Sequence, residues 1–275
     1  MEDNKRTLAL VIKRQISALG DFLRPFHHFI IGELFPLCCM SCKDPVTHHG
    51  GFCQKCWAML RLITAPQCIC CGFPFPFQKI ALSSFLDGES ETPSPGEYCG
   101  ACLQSSPAYD QARSVYAYDD PIRAVILSLK HGDGTQLGSI LGKLLVPLAK
   151  TFLDVDVVVP VPLHWSRRFK RQYNQAGLLA QPVADALRCQ VDGSLLKRIR
   201  KTQSQGTMSW KQRAKNVKGA FVVPASKFPL VNKKHILLID DVHTTGVTID
   251  ECAKVLKTSG ASRVSVLTVA RALRA

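Results

Sequence analysis

The run His235-Ile-Leu-Leu-Ile-Asp240-Asp241-Val-His-Thr244-Thr245-Gly246-Val-Thr248-Ile constrains the fold of this chain more than any other segment. Ile236 to Ile239 is an unbroken apolar run of strand length, the pattern of a strand covered on both faces. Two carboxylates stand at its C-terminal end, a turn of small residues follows at once, and a helix is predicted from about Val247 to Thr258. Open α/β sheets bind ligands outside the carboxyl ends of their strands. Amide N–H groups of such a turn, and of the first helical turn, can surround an anion. Gly246 permits positive φ or close approach, and Thr244, Thr245 and Thr248 add hydroxyl donors. Two acids would repel a phosphate unless they faced something else. Ribose hydroxyls or a magnesium ion would suit them, which points to a ribose-phosphate ligand. The alternative is a capped turn with a solvated acidic pair.

The segments around this run alternate in the same sense. Strands are predicted at Ala112–Tyr118, Val155–Val159 and Val264–Val269. Helices are predicted from Pro121 to near Gly132, from Gln136 to Lys150 and from Tyr173 to Leu187. Strand–helix alternation implies a parallel sheet covered on both faces.

Residues 37–102 have a different texture, with little periodicity and ten of the twelve cysteines, so something other than a large apolar core must hold them. Eight cysteines form CxxC pairs: Cys39/Cys42, Cys53/Cys56, Cys68/Cys71 and Cys99/Cys102. A CxxC turn offers two thiolates to one ion, so four pairs imply two closed, structural zinc sites. Sequential pairing of the motifs and an interleaved arrangement are both open, since a longer loop costs little more entropy to close. Iron–sulfur is the competing metal chemistry. Trp57 and the series Phe73, Phe75, Phe77 are read as a small apolar base, with base stacking as the alternative. Cys189 and Cys252 are expected as buried residues on helices. Ser83–Gly96 reads as an exposed, acidic insertion.

The formal net charge is +14. Two four-thiolate sites, each carrying a net −2 with its zinc, lower it to about +10, and the chain still favours anionic partners. Residues 161–220 hold 13 Lys plus Arg against two acids, so the surplus is concentrated there. Two groups stand out: Arg167, Arg168, Lys170, Arg171, and then Lys197, Arg198, Arg200, Lys201 followed by Lys211 and Arg213. They could track a nucleic-acid backbone, clamp a diphosphate, or form a solvated basic face. Residues 7–30 fit an amphipathic helix, packed on the protein or laid on a membrane surface. Lys13 and Arg14 interrupt its apolar stretch, which makes a secretory signal a poor reading and a cytoplasmic chain the simple one.

DDVHTTGVT resembles the ribose-phosphate loop of type I phosphoribosyltransferases. Together with LFPLCCMSC, FCQKCW, SLKHGD, VVPVPLHWSRRFKRQYNQ and KRIRKTQSQGTMSWKQRAKNVKGAF, the chain from about Phe35 resembles the ComF family of amidophosphoribosyltransferase-like competence proteins. Where that family has Arg-Gly-Phe-Asn-Gln, this chain has Arg171-Gln172-Tyr173-Asn174-Gln175. The resemblance implies three parts: an N-terminal helix (1–34), a double zinc ribbon (35–108) and an α/β, type I phosphoribosyltransferase-like domain with a parallel sheet (109–275). It implies that Asp240 and Asp241 meet ribose hydroxyls, while His243, Thr244, Thr245, Gly246, Val247 and Thr248 wrap a 5′-phosphate. His243 occupies a permissive position and is expected as an exposed loop residue. Val161, Pro162 and Arg167 would form the diphosphate side, with Arg171 and Lys130 approaching the reacting centre beside the two acids. The metal ligands would be Cys39, Cys42, Cys53, Cys56, Cys68, Cys71, Cys99 and Cys102. The implied partners are phosphoribosyl diphosphate with Mg2+, single-stranded DNA, a translocating helicase or other competence machinery, and the inner membrane as a peripheral contact. The implied role is help in DNA uptake during natural transformation. Phosphoribosyl transfer and non-catalytic sugar-phosphate sensing are the alternatives. The amino terminus does not begin with a nucleophilic cysteine, so a glutaminase domain is not expected.

Overall fold

The structure is a computed structural model that describes residues 37–75, 97–131, 134–163, 173–200 and 210–273. The expected N-terminal helix, the Ser83–Gly96 insertion and Phe77 lie outside these residues. The chain divides into two compact units, Met1–Trp57 and Ala58–Ala275.

In the first unit, the cysteine turns are closed by backbone bonds. The Cys39 N–H donates to Asp44 O at 2.7 Å and the Lys43 N–H to Cys39 O at 3.1 Å. Helix α1 (Gln54–Met59) starts directly after Cys53 and carries Cys56.

The second unit contains, in chain order, α2 (Gly100–Gln104), β1 (Gln111–Ala117), α3 (Ile122–His131), α4 (Gly134–Ala149), β2 (Val157–Pro160), α5 (Gln175–Leu187), β3 (Gln190–Val191), β4 (Lys197–Arg198), α6 (Trp210–Val217), β5 (Phe221–Val222), α7 (Phe228–Val231), β6 (His235–His243), α8 (Val247–Thr258) and β7 (Arg263–Arg271). Among the described residues the main sheet has the order β1-β7-β6-β2-β3, and its strand pairs are parallel. Strands β4 and β5 form a separate antiparallel pair.

The expected parallel sheet is therefore present, and its central strand reads as its sequence suggests. Ile236, Leu237, Leu238 and Ile239 are all fully buried. Side chains alternate across a strand, so the run supplies both faces. Ile236 and Leu238 join Val157, Val159, Val264 and Val266 in one core with Ile249, Cys252, Ala253 and Leu256 of α8. Leu237 and Ile239 serve the opposite face, where α5 packs on β2 and β6 and α4 packs on α5. The two helices approach closely at Gly138, where an added Cβ would stand 2.5 Å from Leu178 Cβ. Truncating a fully buried leucine such as Leu238 to alanine costs about 2–5 kcal/mol in cores of this kind.

Three boundaries differ from the sequence expectation. Strand β2 begins at Val157 because Asp156 is occupied at the sheet's edge, accepting from Lys234 Nζ and from the His235 N–H, each at 2.8 Å. Cys189 is half-buried and lies past the end of α5, which stops at Arg188 in the left-handed conformation. Most consequentially, β6 does not end at Asp241. It continues through Val242 and His243, paired with Ala270 and Arg271. No helix among the described residues is long and apolar enough to cross a membrane.

Candidate functional site

Asp240 and Asp241 stand near the C-terminal end of β6, at the edge of the sheet where parallel α/β folds bind ligands. Being consecutive in a strand, they project to opposite faces. Asp241 Oδ2 pairs with Lys130 Nζ at 2.9 Å, which brings together two residues that sequence reasoning had placed at one site. Asp240 shares the face of Cys252 and α8. Burial first, and the Asp241 charge second, push its carboxyl up to about 7, against the opposing pull of the Asp241 amide, Lys130 and Arg198. The Asp241 N–H donates to Asp240 Oδ1 at 2.9 Å. At neutral pH one of these adjacent acids is thus poised between its protonated and charged forms.

The turn after β6 is Thr244-Thr245-Gly246, two residues later than the sequence suggested, because the ladder continues to His243. Thr244 and Thr245 are exposed, and Val247 and Thr248 are half-buried. Gly246 is the N-cap of α8 with φ +76°. The N–H groups of Thr244, Thr245, Gly246 and Val247 make no backbone hydrogen bond among the described residues. Such donors at a helix start are suited to an anion.

His243 overturns the expectation of an exposed loop histidine: it is 2% exposed. It is the last residue of β6, and its ring meets Tyr109 edge-on at a centroid distance of 6.0 Å. Its Nδ1 lies 2.8 Å from Arg271 Nη1. A guanidinium only donates, so Nδ1 accepts and the ring proton sits on Nε2. Burial first and the Arg271 charge second hold His243 down at about 3. The ring is a neutral floor beneath the turn, not a proton carrier near pH 7.

The diphosphate side is only partly described. Val161 is buried; its N–H donates to Ile239 O at 2.9 Å and its carbonyl accepts from Asn174 Nδ2 at 3.3 Å. Pro162 is buried as well. Arg167, Arg168, Lys170, Arg171 and Lys201 lie outside the described residues, as does the side chain of Lys211. Arg200 closes the end of α6 by donating from Nη2 to Asn216 O at 3.1 Å and Lys218 O at 2.6 Å. Arg198 lies over the Phe221 ring at 5.2 Å, and its charge bears on Asp240. That direction toward the acid was not legible in a run of basic residues. Lys197 is exposed and Arg213 half-buried.

The cysteines assemble as two four-thiolate groups, Cys39/Cys42/Cys53/Cys56 and Cys68/Cys71/Cys99/Cys102. This resolves the pairing of the motifs as sequential. Within each group the Sγ atoms lie within 4.8 Å of one another, with Cys42–Cys53 and Cys71–Cys99 each at 3.5 Å. Zn–S bonds of about 2.3 Å at tetrahedral angles need sulfurs about 3.8 Å apart, so each group fits a single zinc ion. A multi-iron cluster needs a wider cage. Amides support the thiolates: the Cys71 and Cys99 N–H groups point at Cys68 Sγ from 3.5 and 3.3 Å. Burial raises Cys39 and Cys68, but backbone hydrogen bonds outweigh it and hold them at about 6 and about 7, whereas Cys42, Cys56, Cys71 and Cys102 beside them are raised, so each cluster holds one thiol ready to ionise. Thiolate is the form that binds metal. With four protein ligands no position is open to substrate, so the ions would crosslink the chain. Cys68, Cys71 and Cys102 belong to the main core, and Phe73 and Phe75 pack against it, as an apolar base would. Trp57, by contrast, is 64% exposed.

Sequence reasoning missed Arg271. The available signal was an arginine at the C-terminal end of the buried run Val264–Ala270, the sheet edge at which ligands collect.

Comparison with known proteins agrees with this architecture. Residues 30–103 match the double zinc ribbon domain model, and residues 174–274 match the phosphoribosyl transferase domain model. The DNA utilization protein YhgH of Escherichia coli (strain K12) is 33% identical over 245 residues, covering 86% of this chain and 98% of that protein. Competence protein F of Haemophilus influenzae is 30% identical over 249 residues, covering 87% and 99%. Competence protein ComFC of Bacillus subtilis is 26% identical over 259 residues, covering 87% and 97%.

Proposed function

The chain belongs to the ComF family of competence proteins, a double zinc ribbon with a phosphoribosyltransferase-type domain, and we propose that it binds a phosphoribosyl-diphosphate-like ligand while assisting single-stranded DNA during uptake. One observation carries the ligand reading: amides at Thr244–Val247 that make no backbone hydrogen bond among the described residues follow directly on a strand whose two acids face opposite ways, one of them paired with Lys130. The turn donates to the 5′-phosphate through its N–H groups and the threonine hydroxyls. Asp240 and Asp241 accept from ribose hydroxyls. Lys130 both orients Asp241 and adds positive charge on the diphosphate side. A magnesium ion brought in with the diphosphate would neutralise its oxygens, and the acids are suitable neighbours for it.

The DNA role draws support from two sources. The relatives carry names of DNA utilization and competence, and they align along nearly their whole length. The chain is strongly basic, with Lys197, Lys215 and Lys218 exposed around β4 and α6. Contact with a translocating helicase at the membrane face belongs to the same proposal.

The test is titration calorimetry of the zinc-loaded chain with phosphoribosyl diphosphate and Mg2+, beside fluorescence anisotropy with a labelled single strand at several salt concentrations. Binding of the sugar phosphate that is lost in Asp241→Asn supports the ligand site. Absence of salt-dependent strand binding would remove the DNA half. Release of diphosphate on adding purine, pyrimidine or amine acceptors would make the protein an active phosphoribosyltransferase.

A further inference from the structure

Arg271 joins two sites that the fold would otherwise keep apart. It ends β7, is 8% exposed, and sits in register with His243 of β6. Its Nη1 donates to Cys71 O at 2.7 Å and to His243 Nδ1 at 2.8 Å. Its Nη2 donates to Cys71 Sγ at 3.4 Å. The guanidinium also lies 5.6 Å from the centre of the Phe73 ring, two residues beyond that cysteine. One planar fork therefore holds the second cysteine cluster by a carbonyl and a sulfur, and the end of β6 by an imidazole.

The chain of contact continues into the turn. His243 Nε2 stands 2.6 Å from the place a Cβ would take on Gly246, the residue that starts α8 at φ +76°. The imidazole is thus pressed against the underside of the turn whose amides the proposed phosphate would use. Hydrogen bonds link Cys71 to Arg271 and Arg271 to His243, and the His243 ring fills the space that a side chain on Gly246 would need.

We propose that Arg271 is a positioning residue through which metal occupancy of the Cys68/Cys71/Cys99/Cys102 cluster sets the conformation of the Thr244–Val247 turn. The chemistry on the cluster side is direct. A four-thiolate zinc centre carries a net −2, and a guanidinium against one of its sulfurs and the adjacent carbonyl is held by both charge and fork geometry. Loss of the ion replaces that partner with thiols and frees the Cys71 turn to move, so the fork loses its anchor. Nδ1 of His243 then loses a fixed donor, and the ring is free to leave the floor of the turn. By linkage, a ligand that needs the ordered turn must favour the metal-bound cluster by the same factor. The linkage to ligand rests on the sugar-phosphate reading above; the link between cluster and turn does not.

The experiment uses the full zinc-loaded chain, a coloured chelator that reports metal release, ribose 5-phosphate as the probe, and hydrogen exchange at the turn, read from the Asp250 amide that donates to Gly246 O at 2.8 Å and referenced to the Leu237–Ile239 strand. In the wild type, removal of the second metal raises exchange in the turn about 5-fold or more over any change in the strand, and saturating ribose 5-phosphate slows release of that metal by a similar factor. Arg271→Met retains two metals yet shows the raised turn exchange from the start, and its metal release ignores the sugar phosphate. Arg271→Lys keeps the charge without the fork and behaves as Arg271→Met does. Turn exchange indifferent to the metal, or a rise shared equally by strand and turn, overturns the proposal. If calorimetry detects no ribose 5-phosphate binding to the wild type, the ligand reading falls, and the exchange comparison still decides the link.

Discussion

Lys130 Nζ lies 2.9 Å from Asp241 Oδ2, tying the end of α3 to the C-terminal part of β6. The side chains are 24% and 15% exposed, so the pair is neither freely solvated nor fully desolvated. Such pairs fall between the small value of surface bridges and the large cost of orphaning a buried charge. Lys130→Met should lower stability by about 1–2 kcal/mol, read by urea denaturation. Asp241→Asn should weaken phosphoribosyl-diphosphate binding by about 10-fold or more, since a hydrogen bond to a charged group is worth about 1.5–3 kcal/mol. Unchanged affinity in Asp241→Asn would remove this acid from the ligand site.

Asp240 gives a pH signature. Its carboxyl is raised to about 7 in the folded chain, well above its ordinary value of 3.8. Between these values the folded state holds the proton more tightly than the unfolded state. Its contribution to stability is therefore full below the unfolded value and is lost as pH rises toward 7. Ribose hydroxyls prefer the ionised form, so sugar-phosphate affinity should climb from pH 6 to pH 8. Asp240→Asn should keep only the part of that climb due to ionisation of the phosphate itself. Calorimetry at pH 6, 7 and 8 compares the two slopes, and parallel slopes would exclude Asp240 from the effect.

His243 has the opposite sign. Its folded value, about 3, lies below the ordinary 6.5. The unfolded chain takes up the proton first, so stability is full above about 6.5 and falls as pH drops toward 3. Imidazole nitrogen shifts measured by NMR should show one neutral ring, with its proton on Nε2, throughout pH 5–8. A histidine titrating near 6.5 at this position would contradict the Arg271 contact.

Gly246→Ala meets two obstacles, a backbone at φ +76° and the His243 ring 2.6 Å from the new Cβ. The expected loss is about 1–3 kcal/mol in thermal denaturation, with weakened anion binding. Adding His243→Ala should recover the steric part and leave the backbone part. No recovery in the double variant would mean that the ring is not the obstacle.

Metal analysis should find two zinc ions per chain, bound with unequal ease. The first group includes the exposed Cys42, whereas Cys68, Cys71 and Cys102 of the second are buried in the core of the α/β unit. A chelator should remove the first ion faster. Loss of the second should cost more stability than loss of the first, since its cysteines pack in that core. Equal release rates, measured with a coloured chelator, would contradict the difference in burial.

Local sequence determined the elements of this protein. Ile236–Ile239 reads as the buried strand it forms, Val247–Thr258 reads as the helix it forms, and four CxxC turns announce two metal sites because two thiolates three positions apart can share one ion whatever surrounds them. Tertiary structure decided which turns share an ion, where β6 stops, and what lies beneath the phosphate turn. Those answers depend on neighbours distant in the chain. Ala270 and Arg271 extend the ladder past Asp241, and Arg271 reaches Cys71, which no periodicity in either segment encodes. A buried imidazole looks like a loop histidine until the strand beside it is known, because burial belongs to the assembled sheet and not to the residue.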